Sequence, residues 1–570
     1  MFHFSHVNKR YFFPLFFCIL FLYPFTCFAH LLSITATTPF PTQVSTSSTT
    51  TATYTVTNTS KIPLTVVNQS EFPANLSVSY SNCGLLGAGQ SCLVQLQLRA
   101  PALGTIVSST LKLWAKPSLD GVQHPILVQI VPSQPPAPVP LPVTLIVGGT
   151  NLSGFAPLLA ISNGFSLNWN LQTTGLPTAS MITGVDCTGT GTNVVCIATG
   201  NSLGSGFISV STNLGVNWTT TNYTLFGNAV SATGNGTNAI LAVVGGIFPP
   251  PVIVPPFLRV SVNGGVSFVN LETGLPNGIL FDVSCSGNNA SAICVAVGAD
   301  YTGTPVPFIQ TVTINSGSIV NSTTQVITGL LDTGVAFGTS CTGSGSNAVC
   351  AAVGQYDTNI NPLLMVSSGN GLNWSVKNIL APNAFFINVS CTGSGASALC
   401  VAAGEDDTGP AKPLLAVSRN GGASWTLQTG GTFPTLGFFN DINCQGNICV
   451  AVGRNDVTSS PLIMVSADGG LSWSVKSISG ATPTNGAFST VTCENGGTSI
   501  ICVAAGQTPS PTPFLAASID SGNTWSYQAT TPSLPAAGVF DASGGTSFSK
   551  KMSIDKIANL KGSQQLQTTR

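Results

Sequence analysis

Apolar and polar positions alternate with a period of two along Thr51-Ala52-Thr53-Tyr54-Thr55-Val56-Thr57 and along Leu93-Val94-Gln95-Leu96-Gln97-Leu98. That is the pattern of strands with one face on a core and the other in water. Turn residues separate such strands, and roughly 100 residues of this kind predict a β-sandwich over residues 30–131. Pro132 to Pro142 then holds six prolines and no charge, which predicts a semi-rigid extended linker.

Over residues 143–545 the pattern changes to short apolar runs in a fixed order. A strand such as Phe281-Asp282-Val283-Ser284-Cys285 leads through a Gly/Ser/Asn turn to Cys294-Val295-Ala296-Val297-Gly298. A loop leads to a third run, such as Pro413-Leu414-Leu415-Ala416-Val417-Ser418, and a Ser-x-Asp/Asn-x-Gly-x-Ser/Thr-Trp box turns the chain into a fourth. The order recurs about every fifty residues. Four short antiparallel strands per unit, without helices, predict the blades of a β-propeller in an all-β chain. The count is eight four-stranded blades, or seven if the weak unit with a degenerate box near Ile314 to Val320 is discounted. The first unit begins at Leu145 with the equivalent of a second strand. Phe540-Asp541-Ala542-Ser543, matched to Phe281-Asp282-Val283-Ser284, supplies the missing first strand from the far end and closes the ring.

The full boxes are Ser418, Asn420, Gly422 and Trp425; Ser466, Asp468, Gly470 and Trp473; and Ser518, Asp520, Gly522 and Trp525. Weaker copies end at Trp169, Trp218, Phe268 and Trp374, and in the last of these Gly369 stands where Asp belongs. An Asp or Asn bonds turn amides, glycine permits positive φ, and Trp supplies an apolar body between blades. These boxes resemble the Asp-box of sialidase-type (BNR) β-propellers, and the resemblance covers about 400 residues. It implies that the boxes are structural and lie opposite the family's catalytic face. Cys83 through Gly87, Gly89, Ser91 and Cys92 to Leu98 resembles bacterial immunoglobulin-like modules, so the sandwich is expected to be of that kind.

Only 6% of the residues are charged, against roughly 25% in an ordinary soluble protein. The 17 basic and 18 acidic residues nearly cancel, which excludes the basic surface a nucleic-acid binder needs. The one apolar segment long enough to span a membrane is N-terminal. Lys9 and Arg10 precede the run Tyr11 to Phe25, and Cys27 and Ala29 sit where a cleavage site needs small residues. Residues 1–29 therefore read as a signal peptide, and its removal is expected to leave no transmembrane segment. The expected location is secreted, periplasmic or cell surface.

Fourteen of the 16 cysteines then remain, as Cys83/Cys92, Cys187/Cys196, Cys285/Cys294, Cys341/Cys350, Cys391/Cys400, Cys444/Cys449 and Cys493/Cys502. One unit carries Ala232 and Leu241 at the two cysteine positions, so both members are absent together. That favours seven bridges, each within its own hairpin. No histidine lies beyond His124, and no pair has zinc-knuckle spacing, so neither metal nor cofactor is expected.

Two sets of polar residues recur. Asp357, Asp407 and Asp456 each follow a second-strand glycine by three residues, and Asp300, Glu405 and Asp406 occupy equivalent loops. Opposite the boxes, they would form an acidic arc for cations or a cationic partner; the other reading, which the loop composition favours, is plain Asx-turn chemistry. Asp282, Asn388, Asp441 and Asp541 recur on the first strand, either lining a central channel or bonding neighbouring blades. The tail over 546–570 is basic, with Lys550, Lys551, Lys556, Lys561 and Arg570 against Asp555.

The family resemblance implies sialidase chemistry only if an arginine cluster and a Tyr/Glu pair are present. The propeller has Arg259, Arg419 and Arg454 alone before the tail, and no histidine for a triad. No catalytic residue is assigned. The reading is an exported, non-enzymatic binding or adhesion protein presenting a loop face to a protein or glycan partner. The alternatives are a glycan-active propeller, lectin or atypical glycosidase, and an envelope assembly or scaffold factor like propellers that serve membrane-complex biogenesis.

Overall fold

The structure is a computed structural model that describes residues 31–131 and 144–545, apart from 41–42, 46–48, 101–105, 117–119, 165–166, 248–254, 289, 358–360, 380, 382, 429–431, 481–482 and 484. The expected signal peptide, linker and basic tail lie outside the described residues. Among those described there is no α-helix, and none long and apolar enough to cross a membrane. The chain divides between Ala137 and Pro138 into two units.

In the first unit two sheets enclose one core. Leu32–Thr38, Thr49–Asn58, Ser91–Arg99 and Leu76–Ser81 form one sheet. Gln43–Ser45, Asp120–Val131, Ile106–Lys116, Leu64–Asn68 and Leu85–Leu86 form the other. Alternation turns Ala52, Tyr54, Val56, Val94, Leu96 and Leu98 inward against Leu111, Leu113 and Val128. Each buried Val or Leu contributes about 1.5–3 kcal/mol, so slipping either strand by one residue forfeits its whole apolar set.

The second unit is a β-propeller-like repeat of antiparallel sheets. Eight follow one another, and sheet 6 is representative: Ala384–Thr392, Leu399–Asp406, Lys412–Ser418 and Thr426–Gln428, paired in chain order. In sheet 1 the first and last described strands of this unit meet. Gly538–Gly545 takes the first-strand place beside Thr144–Asn151, with Val147 opposite Ser543. First strands of successive sheets pack on one another from Ser180–Thr188 onward, and Gly538–Gly545 packs on both Ala487–Asn495 and Ser180–Thr188. The succession closes on itself, each first strand packing between the first strands of the sheets on either side.

Every first strand is bulged at one residue, and this corrects the register expected at closure. Gly298 faces Leu280 and Val297 faces Asp282, so the ladder steps over Phe281. Gly149 faces Phe540 and Gly148 faces Ala542, so it steps over Asp541. Asp541 is thus equivalent to Phe281, and Ala542 to Asp282. A bulge inserts one residue on one strand only, so matching letters along the sequence slips by one. The bulge also explains the glycine ending each second strand. A Cβ on Gly149, Gly298 or Gly354 would lie 1.9 Å from a carbonyl oxygen of the partner strand.

Candidate functional site

The box turns join third to fourth strands at one end of the sheets and are consumed by structure. In the boxes opening at Ser211, Ser261, Ser418, Ser466 and Ser518, the serine Oγ donates to the Asn or Asp Oδ1 at 2.8–2.9 Å. It accepts the glycine N–H at 2.8–3.0 Å. The same Oδ1 accepts the amide four residues on. Gly422, Gly470 and Gly522 have φ of 80–82°, and a Cβ on each would strike Val366, Val417 or Val465 of the preceding sheet. Trp425 and Trp525 donate Nε1–H to Gly422 and Gly522 carbonyls. Trp473 is buried, with no partner for its Nε1. In the copy with Gly369 the Asx bonds are missing, Asn370 Oδ1 is unpartnered, and Trp374 still donates to the Gly371 carbonyl at 2.8 Å.

The cysteines form seven disulfides, each between neighbours in sequence. They are Cys83–Cys92 in the first unit, then Cys187–Cys196, Cys285–Cys294, Cys341–Cys350, Cys391–Cys400, Cys444–Cys449 and Cys493–Cys502 in the second. In the second unit the two cysteines of every bridge stand directly opposite each other on the first and second strands of one sheet. The second-strand members Cys196, Cys294, Cys350, Cys400, Cys449 and Cys502 are all buried, so these bridges are structural and offer no reactive sulfur at the surface.

A second inter-sheet device uses the residues around the cysteines. The side chain before the cysteine accepts a backbone N–H from the next sheet. Asp186 takes that of Ala232, Ser231 that of Cys285, Ser284 that of Cys341, Ser340 that of Cys391, and Ser390 that of Cys444. The hydroxyl after the cysteine donates to the next sheet's turn glycine, from Thr188, Thr233, Ser286 and Thr342 to Gly234, Gly287, Gly343 and Gly393. Edge amides of the innermost strands are satisfied this way. The recurrence of Ser-Cys-Ser/Thr-Gly along the chain is the sequence signal for these contacts.

Asp282, Asn388 and Asp441 are buried and likewise joined to neighbours. Asp282 accepts its own Val283 N–H and Thr339 N–H of the next sheet. Asn388 donates to Asp441, which also accepts Val491 N–H and the Thr490 hydroxyl, and Thr490 shares a hydrogen bond with Ser543. Asp541 does not share their register and sits at the bulge position instead.

The second-to-third-strand loops lie at the other end of the third strands, away from the boxes. Asp300 and Asp406 accept both the amide and hydroxyl of Thr302 and Thr408 two residues on, which is Asx-turn chemistry. Glu405 is the penultimate residue of the strand that Asp406 ends. Asp357, Asp407 and Asp456 donate their backbone N–H to Thr333, Asn383 and Leu436 carbonyls. Burial, then the Asp357 carboxylate, pushes the Tyr301 phenol up. Among the described residues no three His, Cys, Asp or Glu side chains gather as a metal site would.

The three arginines sort differently. Arg259 lies over Tyr223 and pairs with Glu272 at 3.3 Å. Arg419 donates to the Asp468 carbonyl at 2.7 Å and ties two boxes together. Arg454 is on the loop side, 2.9 Å from Asp456 through Nε. It lines a pocket of about 340 Å³ with Phe438, Asn440, Ser489, Gln507 and Pro511. Asn440 and Ser489 are bulge residues. That position is polar in Thr183, Asn228, Asn440, Ser489 and Asp541 but apolar in Phe281, Phe337 and Ile387, the last three part of one buried cluster. Asn440 and Gln507 carry no expectation from the sequence, and Arg454 enters it only as one of three arginines too few for a cluster.

Buried polar atoms without partners occur at both ends of the sheets. At the loop end they include Thr150 Oγ1, Asn201 Oδ1, Gln355 Oε1 and Asn440 Oδ1, the first three each one residue past a second-strand glycine, and at the box end Ser162 Oγ, Ser367 Oγ, Asn370 Oδ1 and Trp473 Nε1. A second hollow of about 580 Å³ lies among exposed hairpin turns at Asn193, Asn235 and Asn288 on the box side.

No family model and no curated protein matches the chain. Among solved structures it is similar to one described as YCF48 bound to D1 peptide, at 13% identity and TM-score 0.31, covering 50% of this chain and 76% of that one. It is also similar to surface layer protein SbsC, domains 4–9, at 11% identity and TM-score 0.13, covering 76% and 70%. Likeness this low carries no functional weight, and the repeat architecture rests on the strand pairing.

Proposed function

We propose that this chain is an exported binding protein: an immunoglobulin-like module followed by an eight-bladed Asp-box propeller that engages a protein partner through the face opposite its boxes. The observation that carries this is the polar pocket at the loop end, lined by Arg454, Asn440 and Gln507, with Asn440 Oδ1 and, two sheets away, Gln355 Oε1 buried without protein partners. Buried polar groups are nearly always satisfied, which supports a ligand from outside the fold at this end. Seven disulfides fit an oxidising compartment. The dispersed arginines support binding over sialidase-type chemistry.

The test is capture of envelope proteins by the mature chain and two variants. Gln355→Leu on the loop side is expected to abolish capture, and Arg419→Gln on the box side to preserve it. Capture that survives Gln355→Leu but fails with Arg419→Gln overturns the reading. Reproducible turnover of aryl glycosides would also overturn it.

A further inference from the structure

The pocket between sheets 7 and 8 has a donor and acceptor pattern that specifies a ligand class. Its base is Asn440, 6% exposed. The side-chain amide nitrogen donates to the Phe488 carbonyl at 2.6 Å, which fixes the group's orientation. Its Oδ1 has no partner, so the pocket offers a buried acceptor awaiting an N–H or O–H. Gln507 accepts the Ser489 hydroxyl through Oε1 at 3.0 Å, leaving its amide nitrogen as a donor. Among the described arginines, Arg454 is the one that lines this pocket. Asp456 sits at its Nε side, so the end-on pair of nitrogens remains for a bidentate acceptor. Phe438, Pro511 and Val539 supply apolar wall.

A guanidinium fork and an amide donor lining one pocket fit a carboxylate. A buried amide acceptor beside them fits an N–H close to that carboxylate, and the apolar wall fits a side chain on the atom between. We infer that this pocket binds the C-terminal end of a peptide chain: the terminal carboxylate at Arg454 and Gln507, its last amide N–H at Asn440 Oδ1, and an apolar last side chain against Phe438 and Pro511. A volume of about 340 Å³ is at the low end for ligand pockets, roughly 300–1,000 Å³, and suits a chain end. An acidic sugar would offer the carboxylate, but it finds one aromatic ring and few further polar partners. The inference rests on the loop face being the binding face.

The experiment is fluorescence anisotropy with the mature chain and N-terminally labelled hexapeptides ending in Leu, Val or Phe, as free acids and as C-terminal amides. Free acids are expected to bind saturably, and their amides at least ten-fold more weakly. Arg454→Gln is expected to reproduce that loss with an unchanged melting temperature, whereas Arg419→Gln binds as the parent does. Asn440→Asp, which sets a carboxylate against the ligand's own, is expected to weaken binding further. Equal affinity for acid and amide, an unaffected Arg454→Gln variant, or no saturable binding by any of the three overturns the inference. So does saturation by uronic acids instead. In each case loop-face capture that is lost in Gln355→Leu leaves the broader reading standing.

Discussion

At the scale of single residues, small hydroxyls do work that charge does in other proteins. Ser340 Oγ accepts the buried Cys391 N–H at 2.9 Å, and removing one member of such a bond leaves an unsatisfied amide that costs about 1–3 kcal/mol. Ser340→Ala is therefore expected to lower the unfolding free energy in urea by that amount. Ser397→Ala, on an exposed turn, should move it by less than about 0.5 kcal/mol. The box aspartates give a pH signature. Bonds from the Ser472 hydroxyl and amide, with those of Ser466 and Leu471, hold the Asp468 carboxyl at about 2. Burial raises Asp520, but the Thr524 and Ser518 bonds outweigh it and the net shift is downward. A carboxyl depressed below its unfolded value of about 3.9 contributes stability above that pH and loses it as pH falls toward 2. Asn420 performs the same turn without titrating. Melting temperatures from pH 6 to pH 2 should thus fall less steeply in Asp468→Asn/Asp520→Asn than in the parent. Parallel curves would show that these carboxylates carry no pH-linked stability.

At the scale of the element, what is legible in the sequence is what closes within a few residues. The boxes and cysteine hairpins make their decisive contacts over two to nine positions, so spacing alone reveals them. Even the shortened hairpin between Cys444 and Cys449 keeps its cysteines face to face, because only the turn beyond them is trimmed. The Ser-Cys-Thr-Gly bonds reach about fifty residues onward to the same motif in the next sheet, a distance at which spacing says nothing of contact. The bulge hides in another way: its position holds Phe, Ile, Asn, Ser, Thr or Asp, with no shared chemistry, and only the glycine opposite marks it. This is why Asp541 is assigned one residue out of place and why Asn440 escapes notice beside Asp441. The hairpin without cysteines offers a check on the register argument. Ala232 lies directly opposite Leu241, as Cys285 lies opposite Cys294. Ala232→Cys/Leu241→Cys should form an eighth bridge, with no new thiol titrating. A loop of about ten residues predicts roughly 2–3 kcal/mol of stabilisation, offset by the apolar contacts Leu241 gives up. Two additional free thiols would refute the pairing.

At the scale of the whole molecule, scarcity of charge becomes intelligible once the sheets are seen to face one another. Their inner strands are buried on both sides, and Thr144–Asn151 is buried along nearly its whole length. Such a strand cannot serve as an edge: its unpaired amides and apolar side chains would recruit another chain. The closing strand Gly538–Gly545 covers it in the parent, with Phe540 and Ala542 fully buried. A chain ending at residue 537 should therefore melt earlier and over a broader range, and elute as dimers or larger species. Adding a synthetic peptide spanning 538–545 should restore the monomer only near millimolar concentration. Tethering within one chain supplies an effective concentration of that order, which a separate peptide must match. A truncated chain that stays monomeric with the parent's melting temperature would show that the first sheet holds without its last strand, and that the ring is closed by packing between sheets alone.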